Sequence, residues 1–299
     1  MTGTIDMVTI SGPGLSAGIL TAGAELQWLR DAEGRDLLWD GDPAYWNGRA
    51  PILFPIVGAV ANGVIHVDGA PYELARHGFA RRRTFTLVDQ TPAQARFRLE
   101  ADDATRAVYP FDFRLDMVFA IDGPSLSITA QLSNPGDRPL PASIGFHPAF
   151  RWPLPYDQSR ADHRLIFAED EFAPVRRLNA DGLLRPGGLP SPVADHILTL
   201  DDSLFEDDAL ILDRVASRSV VYGAPGSPGL QVDFPDMPML GLWSKPGAGF
   251  VCIEPWAGIA DPVDFSGEYR SKPGVVEIAP GATRDFGMRI SLVGDVKDW

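Results

Sequence analysis

Two histidines and one glutamate stand out, because each sits among neighbours that stiffen the backbone and exclude water. His77 lies in His77-Gly78-Phe79-Ala80-Arg81, and His147 in Gly145-Phe146-His147-Pro148-Ala149-Phe150. Glu254 lies in Cys252-Ile253-Glu254-Pro255-Trp256-Ala257-Gly258. A fourth stretch, Pro51-Ile52-Leu53-Phe54-Pro55-Ile56-Val57-Gly58, has the same Pro and aromatic character without an ionisable group. An imidazole or carboxyl in such surroundings is positioned and partly desolvated, the two conditions for a tuned proton donor or acceptor. Phe79, Phe146, Phe150 and Trp256 would supply flat apolar walls, and such walls suit the C–H faces of sugars. Singly, each residue also fits a plainer role. A histidine in a Pro/Gly-rich turn is often a hydrogen-bonded structural group. Glu254 alternates with Val251 and Ile253, so it points away from their face, which in a sandwich is often solvent.

The elements that must position these residues read as strands. In Ser125–Ser133 every second residue is apolar, a period of two with one buried and one wet face. The strand stops at Asn134-Pro135-Gly136-Asp137, where Pro fixes φ and Gly accepts a positive one. Similar alternation marks residues 95–101, 113–121, 230–234, 250–254 and 289–293. No window of about 12 residues carries a helical apolar stripe free of Pro and Gly; short helices are expected only near residues 201–208. The stretch 185–192 reads as a loop. Gly (30) and Pro (27) are too many for a helical bundle and suit short strands joined by turns. The expectation is an all-β chain, residues 1–299 as one domain, with its sheets stacked into a large antiparallel sandwich.

Charge narrows the partners. Lys and Arg (26) against Asp and Glu (40) give a formal net charge of −14. An acidic surface repels phosphate backbones and anionic lipid, so no nucleic acid and no membrane is expected as a partner. Arg81-Arg82-Arg83 is a local basic turn that stands against this balance. The one cysteine, Cys252, excludes internal disulfides and cysteine-rich metal clusters. The five histidines show no close ligand spacing, so no metal site is expected. Met1-Thr2-Gly3-Thr4-Ile5-Asp6 lacks a signal-peptide pattern, and no apolar run approaches the roughly 18 residues of a membrane span. A cytoplasmic protein is expected.

Two motifs mislead. Gly14-Leu15-Ser16-Ala17-Gly18 matches the G-x-S-x-G nucleophile elbow, and Gly12 to Ala17 a loose dinucleotide fingerprint. Both need a helix next, and another strand pattern follows instead.

Taken together, and in this order, the four segments resemble the aldose 1-epimerase (galactose mutarotase-like) family, in particular its bacterial mutarotase-like branch. The resemblance runs from about Ile10 to Val293. It implies that family's antiparallel β-supersandwich and interconversion of the α and β anomers of an aldose, with no cofactor. It further implies that His147 is the general acid at the ring oxygen and Glu254 the general base at the anomeric hydroxyl. His77 would contact the substrate near its ring oxygen. A sugar-binding aspartate would be Asp207, with Asp208 the other choice. Arg81 matches an arginine that binds phosphate in the hexose-6-phosphate mutarotase branch. The second phosphate arginine of that branch falls on Asn47, with Arg49 near it and out of register. The arginines of galactose mutarotases are missing from Gly58-Ala59-Val60-Ala61-Asn62-Gly63. A free aldose, taken by a monomer or homodimer, is therefore the expected substrate. The competing readings are a hexose-6-phosphate mutarotase, a glycoside hydrolase using Glu254 with Asp207 or Asp208, and a non-catalytic sugar-binding or sugar-sensing protein on the same fold.

Overall fold

The computed structural model describes residues 6–297. The segment Met1 to Ile5, part of the stretch read for a signal peptide, lies outside them. The described chain is nearly all strand. One sheet has nine antiparallel strands, from Ile197–Thr199 at one edge to Thr86–Gln90 at the other. At its middle Ser125–Ser133 pairs with Arg114–Asp122 on one side and with the long strand Thr283–Asp295 on the other. The alternation read in Ser125–Ser133 is the observed burial pattern along that strand.

The second sheet runs Leu210–Leu212, Met239–Trp243, Phe250–Ala257, Ile144–Phe146 and Ile52–Leu53, with Ala149–Arg151 also paired to Phe250–Ala257. Leu126 and Ile128 of the large sheet share one apolar cluster with Leu240, Leu242, Val251 and Ile253 of the second. The sheets therefore bury their faces on each other, as the period-two pattern requires. The large antiparallel sandwich expected from the sequence is the observed fold.

Local differences have simple causes. The only α-helix among the described residues, Asp103–Arg106, is one turn long and closed by a capping box between Asp102 and Thr105. It is too short to produce a periodic stripe. The helix expected near residues 201–208 is the 3₁₀ turn Asp202–Phe205. Ser16 of the misleading serine motif lies inside the strand Leu15–Leu20, paired with Arg30, so no elbow exists there. No helix among the described residues is long and apolar enough to cross a membrane.

Candidate functional site

The central strand Phe250–Ala257 is buried along its whole length. Its odd-numbered residues Val251 and Ile253 enter the core between the sheets. Cys252, Glu254 and Trp256 therefore share the other face. That face is not solvent: Glu254 is 1% exposed. Two neighbouring glycines make it habitable. A Cβ at Gly145 would come within 2.6 Å of the Trp256 ring, and one at Gly241 within 2.3 Å. Their bare backbones let the indole lie flat across the sheet.

The register then delivers the histidine. Gly145 pairs with Trp256, and Ala149 pairs with Cys252. One register holds on both sides of the His147-Pro148 interruption, so His147 stands directly across from Glu254. His147 Nε2 is 3.3 Å from Glu254 Oε2. The contact is off the line of a good hydrogen bond. Glu254 Oε2, His147 Nδ1 and Trp256 Nε1 are all buried with no hydrogen-bond partner among the described residues. Three unsatisfied polar atoms in one spot are costly in a finished core and mark a place for a polar ligand. Burial pushes the His147 imidazole down to about 3 and holds the Glu254 carboxyl well above the usual carboxylate range.

His77 reaches the same cavity from a loop. Its backbone has φ = 66°, a left-handed conformation uncommon for a side-chain-bearing residue and often found at functional sites. Gly78 follows at φ = 70°, where a Cβ would strike the Phe54 carbonyl at 2.2 Å. The Gly58 amide donates to His77 Nδ1 at 3.1 Å, and the His77 amide donates to the Gly58 carbonyl at 2.8 Å. Nδ1 is thus an acceptor, which leaves the ring proton on Nε2. Burial, with His147, Arg76 and Arg81 nearby, keeps this imidazole neutral, well below its ordinary range.

The cavity measures about 330 Å³ and is lined by His77, Arg81, His147 and Glu254 together. Four of the five residues singled out from the sequence meet there. The fifth, Asp207, does not. It forms a two-pronged ion pair with Arg185, at 2.8 and 2.9 Å, outside the cavity lining. Asp208, the other choice, lines the cavity at φ = 61° with a carboxylate oxygen 3.9 Å from Arg76. The left-handed turn at Asp208 separates the two carboxylates. The expected walls are corrected in the same way. Phe146 and Phe150 flank His147 and Ala149 in sequence and so point into the core, and Phe79 packs on Phe54 and Phe113. Of the four aromatics only Trp256 lines the cavity; the other walls are Trp46 and Trp243. Trp46 lies 4.9 Å from the His147 ring, and Trp243 stands edge-on to Trp46 at 5.3 Å.

Sequence reasoning also missed Arg76 and Lys245, which line the cavity with Arg81. Arg76 adjoins the His77 motif and Lys245 follows Trp243 by two, so adjacency was the available signal. Arg81 donates to the Arg76 carbonyl at 2.9 Å, and Lys245 to the Tyr45 carbonyl at 2.6 Å. Asn47 does not line the cavity, and Arg49 is spent on the Gln27 carbonyl.

Behind the wall a buried ion pair ties the loops together. Lys272 Nζ is 3.0 Å from Asp261 Oδ1, with both side chains nearly inaccessible. Asp261 also accepts from the Ala61 amide, and its backbone pairs with Ala59 and Leu184. Beside it Ala260 presses on Gly58, the residue that holds His77.

Comparison with known proteins gives one result. A family model described as aldose 1-epimerase matches residues 6–276. The chain is 34% identical over 289 residues to the chromosomal Protein LacX of Lactococcus lactis subsp. lactis, covering 93% of this chain and 97% of that one. Among solved structures, a galactose mutarotase related enzyme from Lactobacillus acidophilus superposes with a TM-score of 0.89 at 29% identity, covering 97% of this chain and 98% of that chain. A galactose mutarotase-like protein from Lactobacillus casei gives 0.89 at 27%, covering 96% and 100%.

Proposed function

The chain belongs to the aldose 1-epimerase family, and from that premise we propose that it is a mutarotase, interconverting the α and β anomers of an aldose with Glu254 and His147 as the proton-transfer pair. The observation that carries this is the 3.3 Å approach of His147 Nε2 to Glu254 Oε2 beside a cavity with aromatic walls. O1 and the ring oxygen of a pyranose sit on the same carbon, so the groups serving them must be neighbours. The two carboxylates of a glycoside hydrolase stand about 5–10 Å apart across a bond. The second carboxylate of this cavity, Asp208, faces Arg76 instead.

Burial sets the proton inventory. With His147 held low and Glu254 held high, the pair carries one mobile proton, resting on the carboxyl. Passing it across the contact runs against both shifts, so the imidazolium donor and carboxylate acceptor form only as the polar atoms of a bound sugar stabilise them, and no proton from solvent is needed. Glu254 then takes the proton of O1, His147 protonates the ring oxygen, and the ring opens. Rotation about C1–C2 and the reverse transfers close it as the other anomer. His77 offers its Nε2–H to the substrate near the ring oxygen. Trp46 and Trp243 take the C–H faces, and Asp208 with Arg76 holds ring hydroxyls. Polarimetry of freshly dissolved α-D-glucose tests the reading. The protein should speed the approach to the equilibrium rotation and release no reducing end from a glycoside. Binding without acceleration would favour a sugar sensor.

Two further outcomes are expected. Asp208→Asn should raise KM for the aldose about tenfold or more, since a hydrogen bond to a charged group contributes roughly 1.5–3 kcal/mol. Asp207→Asn should leave KM unchanged; steady-state kinetics on both variants checks the contrast. The second concerns phosphate. The convergence of Arg76, Arg81 and Lys245 in a chain of charge −14 favours an anionic sugar as the second reading. Against it, Arg81 is engaged with the Arg76 carbonyl and Arg76 faces Asp208. A free aldose is the expected substrate, with kcat/KM for glucose or galactose at least matching that for glucose 6-phosphate at two salt concentrations. A preference of about tenfold for the phosphorylated sugar, fading with salt and lost in Arg81→Ala, would select the hexose-6-phosphate reading.

A further inference from the structure

The proton-transfer pair has a third neighbour that the mutarotase reaction does not use. Cys252 lies two residues before Glu254 on the same strand and shares its face. It sits opposite Ala149 and Trp243, in the apolar cluster on which Trp46 and Trp243 pack. One donor atom each from His147, Cys252 and Glu254 falls within 4.8 Å of the others, and all three residues are buried. We propose that these three side chains form a site for a thiophilic divalent cation, of which Zn²⁺ is the type, and that its occupation switches the proton-transfer pair off.

The donor geometry is close to what such an ion needs. Bond lengths of about 2.3 Å to sulfur and about 2.0–2.2 Å to nitrogen or oxygen place tetrahedral donors roughly 3.3–3.7 Å apart. The His147–Glu254 contact at 3.3 Å already has that spacing. The remaining donors close on it by an ångström or so of side-chain movement. Glu254 Oε2, buried and without a hydrogen-bond partner among the described residues, is free to take the ion together with His147 Nε2. His147 and Glu254 line the cavity and Cys252 is buried behind them, so the cavity side is the way in for an ion. One thiolate, one imidazole and one carboxylate select zinc-like ions over Mg²⁺ and Ca²⁺, which prefer oxygen donors alone.

Proton balance follows from the donors. Cys252 and Glu254 would bond the metal as thiolate and carboxylate, so binding sends any proton they carry to solvent. It removes the mobile proton and both of its carriers, so anomer exchange stops while the metal stays bound. The inhibition rests on the epimerase reading; the binding does not.

The test begins with binding alone. Metal-free protein is titrated with zinc chloride by calorimetry, and with cobalt(II) chloride in an absorption cell. One equivalent of each is expected to bind. The cobalt form should show the near-ultraviolet band of a sulfur-to-cobalt charge transfer. Cys252→Ser should lose that band and weaken zinc binding about tenfold or more, while its circular dichroism and basal anomer exchange match the wild type. Zinc should inhibit the wild type, and a chelator should restore it. Cobalt bound without the sulfur band, no stoichiometric zinc binding, or zinc binding unchanged in a folded Cys252→Ser would each overturn the proposal. The wild-type cobalt spectrum decides the matter even if the variant fails to fold. Zinc binding through Cys252 in a protein that shows no anomer exchange would uphold the metal site and remove the mutarotase reading alone.

Discussion

Replacing Glu254 by Gln, or His147 by Asn, is expected to slow anomer exchange about a hundredfold or more without unfolding the protein. Glu254→Gln keeps the shape of the side chain and His147→Asn keeps a smaller polar one, and both remove the ability to trade a proton. Both residues are buried, and Glu254 Oε2 and His147 Nδ1 have no hydrogen-bond partner among the described residues, so the replacements disturb no bond made at those atoms. The two losses should not add, because either variant already stops the relay. The pH profile carries the same signature. Burial holds His147 far below 6.5 and Glu254 above its ordinary range, so the singly protonated pair persists across a wide interval. The rate should show no acid limb near pH 6.5. It should fall at low pH only as His147 gains a second proton for the pair, and at high pH as Glu254 gives up the first. Rates from pH 5 to 9 on both variants and the wild type check this. An undiminished rate in folded Glu254→Gln would remove the mechanism.

Lys272→Met should cost about 3–5 kcal/mol of stability, because it strands the Asp261 carboxylate in a site with almost no access to water. The penalty comes from the partner left behind more than from the lost attraction. The double replacement Asp261→Asn with Lys272→Met should therefore recover most of the loss, since the amide oxygen still accepts from the Ala61 amide and no charge is buried. Denaturant melts of the two variants give the comparison. A single variant as stable as the wild type would mean that the pair does not hold the loops around Gly58.

The strands were legible because period-two burial is written directly into residues such as Ser125–Ser133. His147 and Glu254 were legible as candidates too, since Pro148 and Pro255 beside them mark stiffened backbone, and the fold brings both to one cavity. The face of Glu254 was not. Alternation says that it opposes Val251 and Ile253, but only the tertiary fold places Trp46 and Trp243 over that face in place of water. Those two tryptophans come from segments with no periodic signal. Asp207 and Asp208 have the same chemistry and adjacent positions, and the positive φ that separates them is a backbone choice that an aspartate does not announce. Cys252 was read as the residue that excludes disulfides; its nearness to His147 comes from strand register, which one sequence does not disclose.

The central claim is that one folded chain turns an aldose over at its anomeric carbon using Glu254 and His147. NMR exchange spectroscopy measures that event directly, as cross-peaks between the α and β anomeric protons of a sugar at equilibrium. Run on glucose, galactose and their 6-phosphates, it should show exchange accelerated by catalytic amounts of the wild-type protein for at least one sugar, and abolished by Glu254→Gln. Exchange no faster than in buffer for every sugar of the panel, with a folded wild-type protein, would contradict the account.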